Sequence, residues 1–256
     1  MVNPGRYHAK GSIMKARVLG GCAIVGFGCQ SSGGPPSSSS SAPPSSPSAE
    51  TAESAPAPAP GADAKVLGFD KDKVDAPPAG FVFGRTGSGA AGKWVAHADA
   101  SAPSAPNVLA QLDADNTDYR FPVAVLSEPR LKEVRVSVRC KLISGKVDQA
   151  CGLLARYQDE NNYYITRANG LESNIRVYFV KDGKRQQLAS WNGPVTAGAW
   201  HDYRFEVRGD HLQAYWDGKR VLDHHDATFA DAGLVGLWTK ADSVTYFDDL
   251  TVEELK

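Results

Sequence analysis

The stretch RANGLESNIR, residues 167–176, concentrates side chains that can bind or cleave a polar ligand. Glu172 is a carboxylate and can act as a general base. The arginines at both ends donate charge-assisted hydrogen bonds, and Asn169 and Asn174 add amide donors and acceptors. We therefore predict Glu172 as the catalytic base if the protein is an enzyme. The alternative is a solvated loop glutamate without a catalytic role.

Short alternating patterns of apolar and polar residues, typical of half-buried strands, surround this stretch. They cover residues 134–142, 174–179 and 202–207. Turn signals separate them, and Asp217-Gly218 suits a two-residue hairpin. No long segment has helical periodicity. We predict an all-β fold, an antiparallel β-sandwich with a jelly-roll topology, formed by residues 65–256.

Hairpin geometry predicts which of these side chains share a face. A four-residue turn at 159–162 puts Arg156 on one face, and a second turn at 170–173 puts Arg167 opposite Arg176 on the same face. Like charges opposed across a sheet are destabilising, so such a face needs a reason. We predict a carbohydrate-binding groove formed by Arg135, Arg156, Tyr163, Arg167, Asn169, Asn174, Arg176 and Tyr178. The alternative is a solvated face that neighbouring acidic residues neutralise.

Two cysteines lie in the predicted β-sandwich, Cys140 and Cys151. Pairing them across neighbouring strands brings Arg135 opposite Arg156, which is why Arg135 joins the predicted face. In an oxidising compartment the two cysteines can form a disulfide. The alternative is two buried free thiols. Their spacing does not resemble a metal-thiolate site.

The last strand contributes further candidates. Trp238, Lys240 and Asp242 follow a glycine-rich strand end, and we add all three to the predicted carbohydrate site because a tryptophan beside a groove can stack on a sugar ring. A core position for Trp238 is the alternative. Asp248 lies on the apolar side of the alternating pattern that begins at Val244. We consider a structural Ca²⁺ there, against backbone N–H donors or a β-bulge.

Composition and the N-terminal sequence limit the possible partners and localisation of the protein. The chain has 256 residues and a formal net charge of −1, which gives no reason to expect nucleic acid as a partner. No stretch of about 20 apolar residues exists, so no membrane-spanning helix is predicted. A basic segment from Met14 and a short apolar run ending at Cys29 resemble a bacterial secretory signal, with Cys29 as the lipidation site or with plain secretion as the alternative.

Residues 30–64 are rich in Ser, Pro and Ala and are predicted to form a flexible tether. Together with the signal, this tether predicts an exported protein of the bacterial cell envelope, in the periplasm or at the outer membrane. Its contact with a membrane would be made only through the N-terminal lipid.

Three long stretches resemble a known family: GKWVAHADASAPSAPNVLAQLDADNTDYRFPVAVL at 92–126, GLLARYQDENNYYITRANGLESNIRVY at 152–178 and DAGLVGLWTKADSVTYFDDLTV at 231–252. They are similar to the bacterial 3-keto-disaccharide hydrolase domain family, also described as family-16 glycoside hydrolase-like. The resemblance implies a concanavalin A-like jelly roll, usually exported. It also implies cleavage of 3-keto-glucosides by elimination and hydration, which needs a base and an electrophile that stabilises an enolate.

The sequence therefore leaves three functions open. The first is a cell-envelope lipoprotein that cleaves 3-keto-glycosides, with Glu172 as base and Arg156, Arg167 and Arg176 as binding or polarising groups. The second is a glycan-binding module that uses the same face without catalysis. The third is an envelope structural or interaction protein that binds no sugar.

Overall fold

The structure is a computed structural model that describes residue 61 and residues 64–256. Cys29 and the predicted signal lie outside the described residues, as does the predicted tether apart from residues 61 and 64. The described residues form fifteen strands and no helix, so none of them belongs to a helix that could cross a membrane. The strands are β1 (Lys65–Leu67), β2 (Phe81–Gly87), β3 (Trp94–Ala98), β4 (Asn107–Gln111), β5 (Arg120–Leu126), β6 (Val134–Ser144), β7 (Ala150–Asp159), β8 (Asn162–Asn169), β9 (Asn174–Lys181), β10 (Lys184–Asn192), β11 (Trp200–Arg208), β12 (His211–Trp216), β13 (Lys219–His225), β14 (Leu234–Trp238) and β15 (Val244–Glu254).

The strands form two antiparallel sheets. The eight-stranded sheet has the order β13-β12-β11-β6-β15-β4-β3, with β1 added on β15, and the seven-stranded sheet has the order β10-β9-β8-β7-β14-β5-β2. The main hydrophobic core lies between them and draws alternate residues from both sheets, for example from β6 and β7. The predicted antiparallel β-sandwich with a jelly-roll topology is confirmed.

Local turn chemistry sets several registers as predicted. Asp217 and Gly218 both have positive φ, and the residues on either side of them pair directly, so this is a two-residue hairpin. The turn at 170–173 is also as predicted, because Asn169 pairs with Asn174. It places Arg167 directly opposite Arg176, on neighbouring strands of the seven-stranded sheet.

The predicted turn at 159–162 is wrong. Asp159 pairs directly with Asn162, and the register of β7 shifts between Ala155 and Asp159. Arg156 lies inside this irregular segment with a φ of 48°. An extra residue in one strand changes which face the following side chains occupy, so Arg156 does not share a face with Arg167.

Cys140 and Cys151 form a disulfide, but it does not join neighbouring strands. Cys140 lies on β6 in the eight-stranded sheet and Cys151 on β7 in the seven-stranded sheet, so the bond connects the two layers through the core. The predicted pairing of β6 with β7 is therefore wrong, and Arg135 does not lie opposite Arg156.

A bulge in β15 interrupts the alternation from Val244. Its register against β6 shifts between Asp248 and Thr251, and Asp249 has a φ of 50°. Before the bulge Phe247 points into the core, and after it Leu250 does so. Asp248 therefore lies on the outer side of the sheet, where the segment around Ser104 covers it completely.

Candidate functional site

A second apolar cluster covers the outer face of the seven-stranded sheet. Its largest members are aromatic, and the aliphatic members fill the spaces between them. Among the aromatic residues, Phe121 lies 5.2 Å from Trp238, measured between ring centroids. This apolar surface supports a set of polar side chains, which we call the arginine site: Arg167, Arg176, Arg185, Glu172 and Tyr178.

Arg167 is the buried centre of the arginine site and is only 1% exposed. Its Nη2 atom donates to Glu172 Oε2 at 3.1 Å, to Asn174 Oδ1 at 3.2 Å and to the Tyr178 hydroxyl at 3.2 Å. Burial lowers the pKa of this guanidinium, but Tyr178, Asp148 and Glu172 outweigh burial and the pKa is raised. Arg167 is therefore a fixed positive charge with a set orientation.

Glu172 joins the two opposed arginines, which explains how the sheet tolerates them. Its Oε2 atom lies 3.1 Å from both Arg167 and Arg176, and it accepts a hydrogen bond from Asn174 at 3.0 Å. Burial raises the pKa of this carboxyl, but these donors and charges outweigh burial and lower it to about 2. The side chain is 41% exposed, so a ligand can reach it. At this pKa the carboxylate is a weak base and a good hydrogen-bond acceptor.

Asp148 is a buried carboxylate beside Arg167 that the sequence did not reveal. It accepts from Asn169 Nδ2 at 2.6 Å and lies 3.0 Å from the Lys240 ammonium. Lys240 in turn contacts Asp118 at 2.6 Å. Burial raises the pKa of Asp148, although Arg167 and Lys240 act in the opposite direction. Because Asp148 is 1% exposed, it positions these cations and does not face a ligand.

Arg185 was also missed, and it brings a second guanidinium to the arginine site. This group lies over the ring of Phe121 at 4.8 Å and over the ring of Tyr178 at 4.5 Å, in two cation–π contacts. Its Nη1 atom is buried and has no hydrogen-bond acceptor among the described residues. The Nε atoms of Arg167 and Arg176 are also buried and have no acceptor among the described residues. Unpaired buried donors are rare. Arg176 and Arg185 are partly exposed, so their guanidiniums can also reach a ligand oxygen.

Tyr119 completes the rim of the arginine site. Its hydroxyl donates to the Gly183 carbonyl at 3.0 Å and accepts from the Arg185 backbone N–H at 2.8 Å, which ties the loop before β5 to the β9–β10 hairpin. Its ring lies 4.6 Å from Phe121 and the residue is 41% exposed. A half-exposed aromatic ring beside polar groups can stack on the apolar face of a sugar.

Asp242 holds the loop that carries Asp148. Its carboxylate accepts the backbone N–H groups of Lys146 at 2.7 Å, Val147 at 3.0 Å and Asp148 at 3.0 Å. Burial raises the pKa of this carboxyl, but the three backbone donors outweigh burial and lower it. Asp242 therefore supports the site from beneath and is not placed to touch a ligand.

Two predicted arginines are absent from the arginine site. Arg135 lies on the eight-stranded sheet, where it donates to Glu206 at 2.7 Å and to Glu253 at 2.8 Å. Arg156 donates to the Lys132 carbonyl at 2.8 Å and to the Phe229 carbonyl at 2.6 Å. Their inclusion was wrong because the register of β7 and the sheet that holds β6 both differ from the prediction.

Trp238 and Tyr163 lie on the predicted face but are fully buried. Trp238 packs under Phe121, and the Tyr163 hydroxyl is hydrogen bonded to Thr86 at 2.7 Å. They form the base of the arginine site and offer no ring surface for stacking. The alternative of a core position describes Trp238 better.

The carboxylate of Asp248 is occupied by protein donors. Its oxygens accept from the Ser104 backbone N–H at 2.8 Å, from the Ser104 hydroxyl at 3.1 Å and from the Asp249 N–H at 2.8 Å. Burial raises its pKa in spite of these donors. This geometry favours the alternatives of N–H donors and a bulge. Calcium binding at Asp248 stays a prediction.

A separate cavity of about 360 Å³ lies on the outer face of the eight-stranded sheet. Its lining includes Arg139, Arg204 and Tyr215. Arg139 is paired with Asp202 at 3.1 Å, and Arg204 lies over the Tyr215 ring at 5.4 Å. The cavity is large enough for a small ligand. Both arginines have carboxylate partners, since Arg204 lies 3.5 Å from Glu206. We prefer the arginine site because Arg185 there lies on two aromatic rings beside the exposed Glu172 carboxylate.

The fold is a jelly-roll β-sandwich with a candidate ligand site on the outer face of each sheet. Residues 122–253 match the model of the 3-keto-alpha-glucoside-1,2-lyase-like domain. The chain belongs to this carbohydrate-directed family.

Three known proteins illustrate what this chain is similar to in sequence or structure. A levanase of Bacillus subtilis strain 168 is 24% identical over 98 residues, which cover 38% of this chain and 14% of the levanase. The chain thus matches only about a seventh of that enzyme. The carbohydrate binding module CBM66 from Bacillus subtilis has a TM-score of 0.54 at 19% identity, covering 68% of this chain and 96% of the module. The VIP36 exoplasmic/lumenal domain in its Ca²⁺/Man3GlcNAc-bound form has a TM-score of 0.50 at 12% identity, covering 69% of this chain and 84% of that one. At these identities the structural likenesses show the fold alone.

Proposed function

We propose that the protein binds a carbohydrate at the arginine site. The observation that carries this proposal is a group of accessible side chains on one sheet face. The Arg176 and Glu172 side chains are 30% and 41% exposed, and the half-buried Arg185 lies on the rings of Tyr178 and Phe121. Sugar hydroxyls can accept from the guanidiniums of Arg176 and Arg185 and can donate to the exposed Glu172 carboxylate. Tyr119 adds an exposed ring beside them for stacking.

Cleavage of a 3-keto-glycoside is the second candidate, and membership of the lyase-like family favours it. In such an elimination a base removes the proton on C2, the C3 carbonyl becomes an enolate, and the C1–O bond breaks so that the alcohol leaves with a proton. The partly exposed Arg176 and Arg185 are suited to stabilise the enolate oxygen. Glu172 is the exposed carboxylate beside them, but its pKa of about 2 makes it a weak base. We therefore place binding ahead of catalysis.

A binding screen separates these candidates from a protein that binds no sugar. The full-length protein is applied to a glycan array, and hits are measured by isothermal titration calorimetry. Arg185→Ala should weaken binding at least tenfold. The matched control is Arg139→Ala, which removes an arginine from the opposite face and should leave the affinity unchanged. If Arg139→Ala abolishes binding and Arg185→Ala does not, the ligand occupies the cavity on the eight-stranded sheet.

Catalysis is tested by incubating the full-length protein with 3-keto-lactose and following the products by NMR. Turnover that Glu172→Gln reduces at least a hundredfold supports the second candidate with Glu172 as base. Turnover that survives this substitution excludes Glu172 as base. Binding without turnover leaves the glycan-binding function alone. Absence of both supports an envelope structural or interaction protein.

We also propose that the protein is exported and held to a membrane by a lipid on Cys29. The basic and apolar segments before Cys29 and the Ser/Pro/Ala-rich stretch after it support this. Radiolabelled fatty acid should be incorporated by the wild-type protein and not by Cys29→Ser. Equal labelling of both proteins contradicts the assignment of this cysteine.

A further inference from the structure

Two histidines and an aspartate meet on the outermost hairpin of the eight-stranded sheet. His211 on β12 and His225 on β13 are direct cross-strand partners, and their rings are stacked with centroids 4.6 Å apart and planes 5° from parallel. Asp223 lies two residues before His225 on the same strand. One candidate ligand atom from each of the three residues lies within 4.8 Å of the other two.

We propose that His211, Asp223 and His225 bind a divalent transition-metal ion. Imidazole nitrogens suit Zn²⁺, Ni²⁺, Co²⁺ and Cu²⁺, and a single carboxylate complements two of them. Calcium is disfavoured because it requires six or more oxygen ligands. Three protein ligands leave at least one coordination position for water or another group. This site lies on the other sheet from the arginine site, and the proposal does not rest on the proposed function.

Neighbouring side chains already orient two of the three ligands, His225 and Asp223. Asp210 contacts Nδ1 of His225 at 3.1 Å, which is the type of carboxylate support that fixes metal-binding imidazoles. Oδ2 of Asp223 is held by Gln213 at 3.0 Å and by Arg220 at 2.9 Å. These contacts turn Oδ1 of Asp223 towards His211. The positive charge of Arg220 opposes metal binding, because it competes with the ion for the Asp223 carboxylate.

The ion would replace the proton that now lies between His211 Nε2 and Asp223 Oδ1. These atoms are hydrogen bonded at 2.5 Å, so they must separate by several tenths of an ångström to share an ion. The movement is feasible because the side chains of His211 and Asp223 are 33% and 39% exposed and that of His225 is 64% exposed. Solvent exposure also gives the ion a direct route in.

Such an ion would connect the edge strand to the body of the sheet. β13 pairs with β12 on one side and is the end of the path of strands. An ion bound by one residue of β12 and two of β13 joins the open end of this hairpin, opposite its Asp217-Gly218 turn. Metal binding should therefore raise the thermal stability of the folded protein.

The test is calorimetric titration of the full-length protein, without an affinity tag and after chelator treatment, with ZnCl₂. We expect one ion per chain and a rise in the melting temperature when ZnCl₂ is present. His211→Gln and His225→Gln should each weaken Zn²⁺ binding at least tenfold and remove the rise. His224→Gln is the matched control, because His224 is adjacent in sequence and pairs with Leu212 on the next position of the hairpin.

Circular dichroism shows whether each variant folds, and we expect all three to fold because His225 is exposed and His211 and His224 are only partly buried. CaCl₂ should produce neither heat nor stabilisation. Absence of Zn²⁺ binding by the wild-type protein overturns the proposal. Binding that persists in both His211→Gln and His225→Gln also overturns it, since the ion would then be bound by other residues.

Discussion

Arg185→Ala should destabilise the protein by an amount that the two ring contacts determine. The substitution removes a guanidinium that lies 4.8 Å from the ring centroid of Phe121 and 4.5 Å from that of Tyr178. It keeps the hydrogen bond from the backbone N–H of residue 185 to the Tyr119 hydroxyl. A cation–π contact contributes about 0.5–1 kcal/mol when exposed and about 2 kcal/mol when desolvated. For two contacts on a half-buried arginine we expect a loss of about 1–3 kcal/mol.

This loss of unfolding free energy corresponds to a fall in the melting temperature. A folded region of about 190 residues has an unfolding entropy of about 0.4 kcal/mol/K, so the melting temperature should fall by about 3–7 °C. Differential scanning calorimetry measures it, and Lys184→Ala is the control because Lys184 is an exposed cation on the same strand. A fall of less than 1 °C for Arg185→Ala, or an equal fall for Lys184→Ala, would refute the stacked position of Arg185.

Three further predictions concern the supports of the fold and the site. Replacing Cys140 and Cys151 by serine together should cost about 3 kcal/mol, because the disulfide closes a short loop with a sequence separation of 11; an unchanged denaturant midpoint would contradict this. The folded-state pKa of Glu172 is about 2, below the ordinary value of 4.5 for a glutamate, so its contribution to stability is complete above pH 4.5 and is lost as the pH falls towards 2. Glu172→Gln should therefore flatten the curve of unfolding free energy against pH in that window. Parallel curves for the wild-type and variant proteins would exclude the ion pairs of Glu172 with Arg167 and Arg176. Asp242→Ala should cost about 2–3 kcal/mol because it leaves three backbone N–H groups without their charged acceptor, and Asp242→Asn should cost less; equal urea midpoints for wild type and Asp242→Ala would count against it.

Local patterns were enough to predict several of the strands and turns. The alternation at 134–142 became β6 and that at 202–207 became part of β11, because one face of each strand is buried in the core. The turn at 170–173 set the register of β8 with β9, and with it the meeting of Arg167 and Arg176. These features depend on residues close in sequence, which is why the sequence alone could predict them.

The errors arose where a single residue or a distant strand decides the geometry. The irregular segment at Arg156 shifts the register within one strand, and no alternation pattern predicts such an insertion. The assignment of β6 to the other sheet removed Arg135 from the site. Arg185 and Tyr119 reach the site from segments 66 residues apart, so only the assembled sheet brings them together. The one local signal was the aromatic–arginine pair at Tyr119 and Arg120, where β5 begins.

The most direct test of carbohydrate binding at the arginine site is an NMR titration of the ¹⁵N-labelled full-length protein. The sugars added are 3-keto-lactose and the strongest hit from the glycan array. We predict that the largest chemical-shift changes fall on Tyr119, Arg167, Glu172 and Arg185. Changes confined to the cavity around Arg204, or no change with either sugar, would contradict the account.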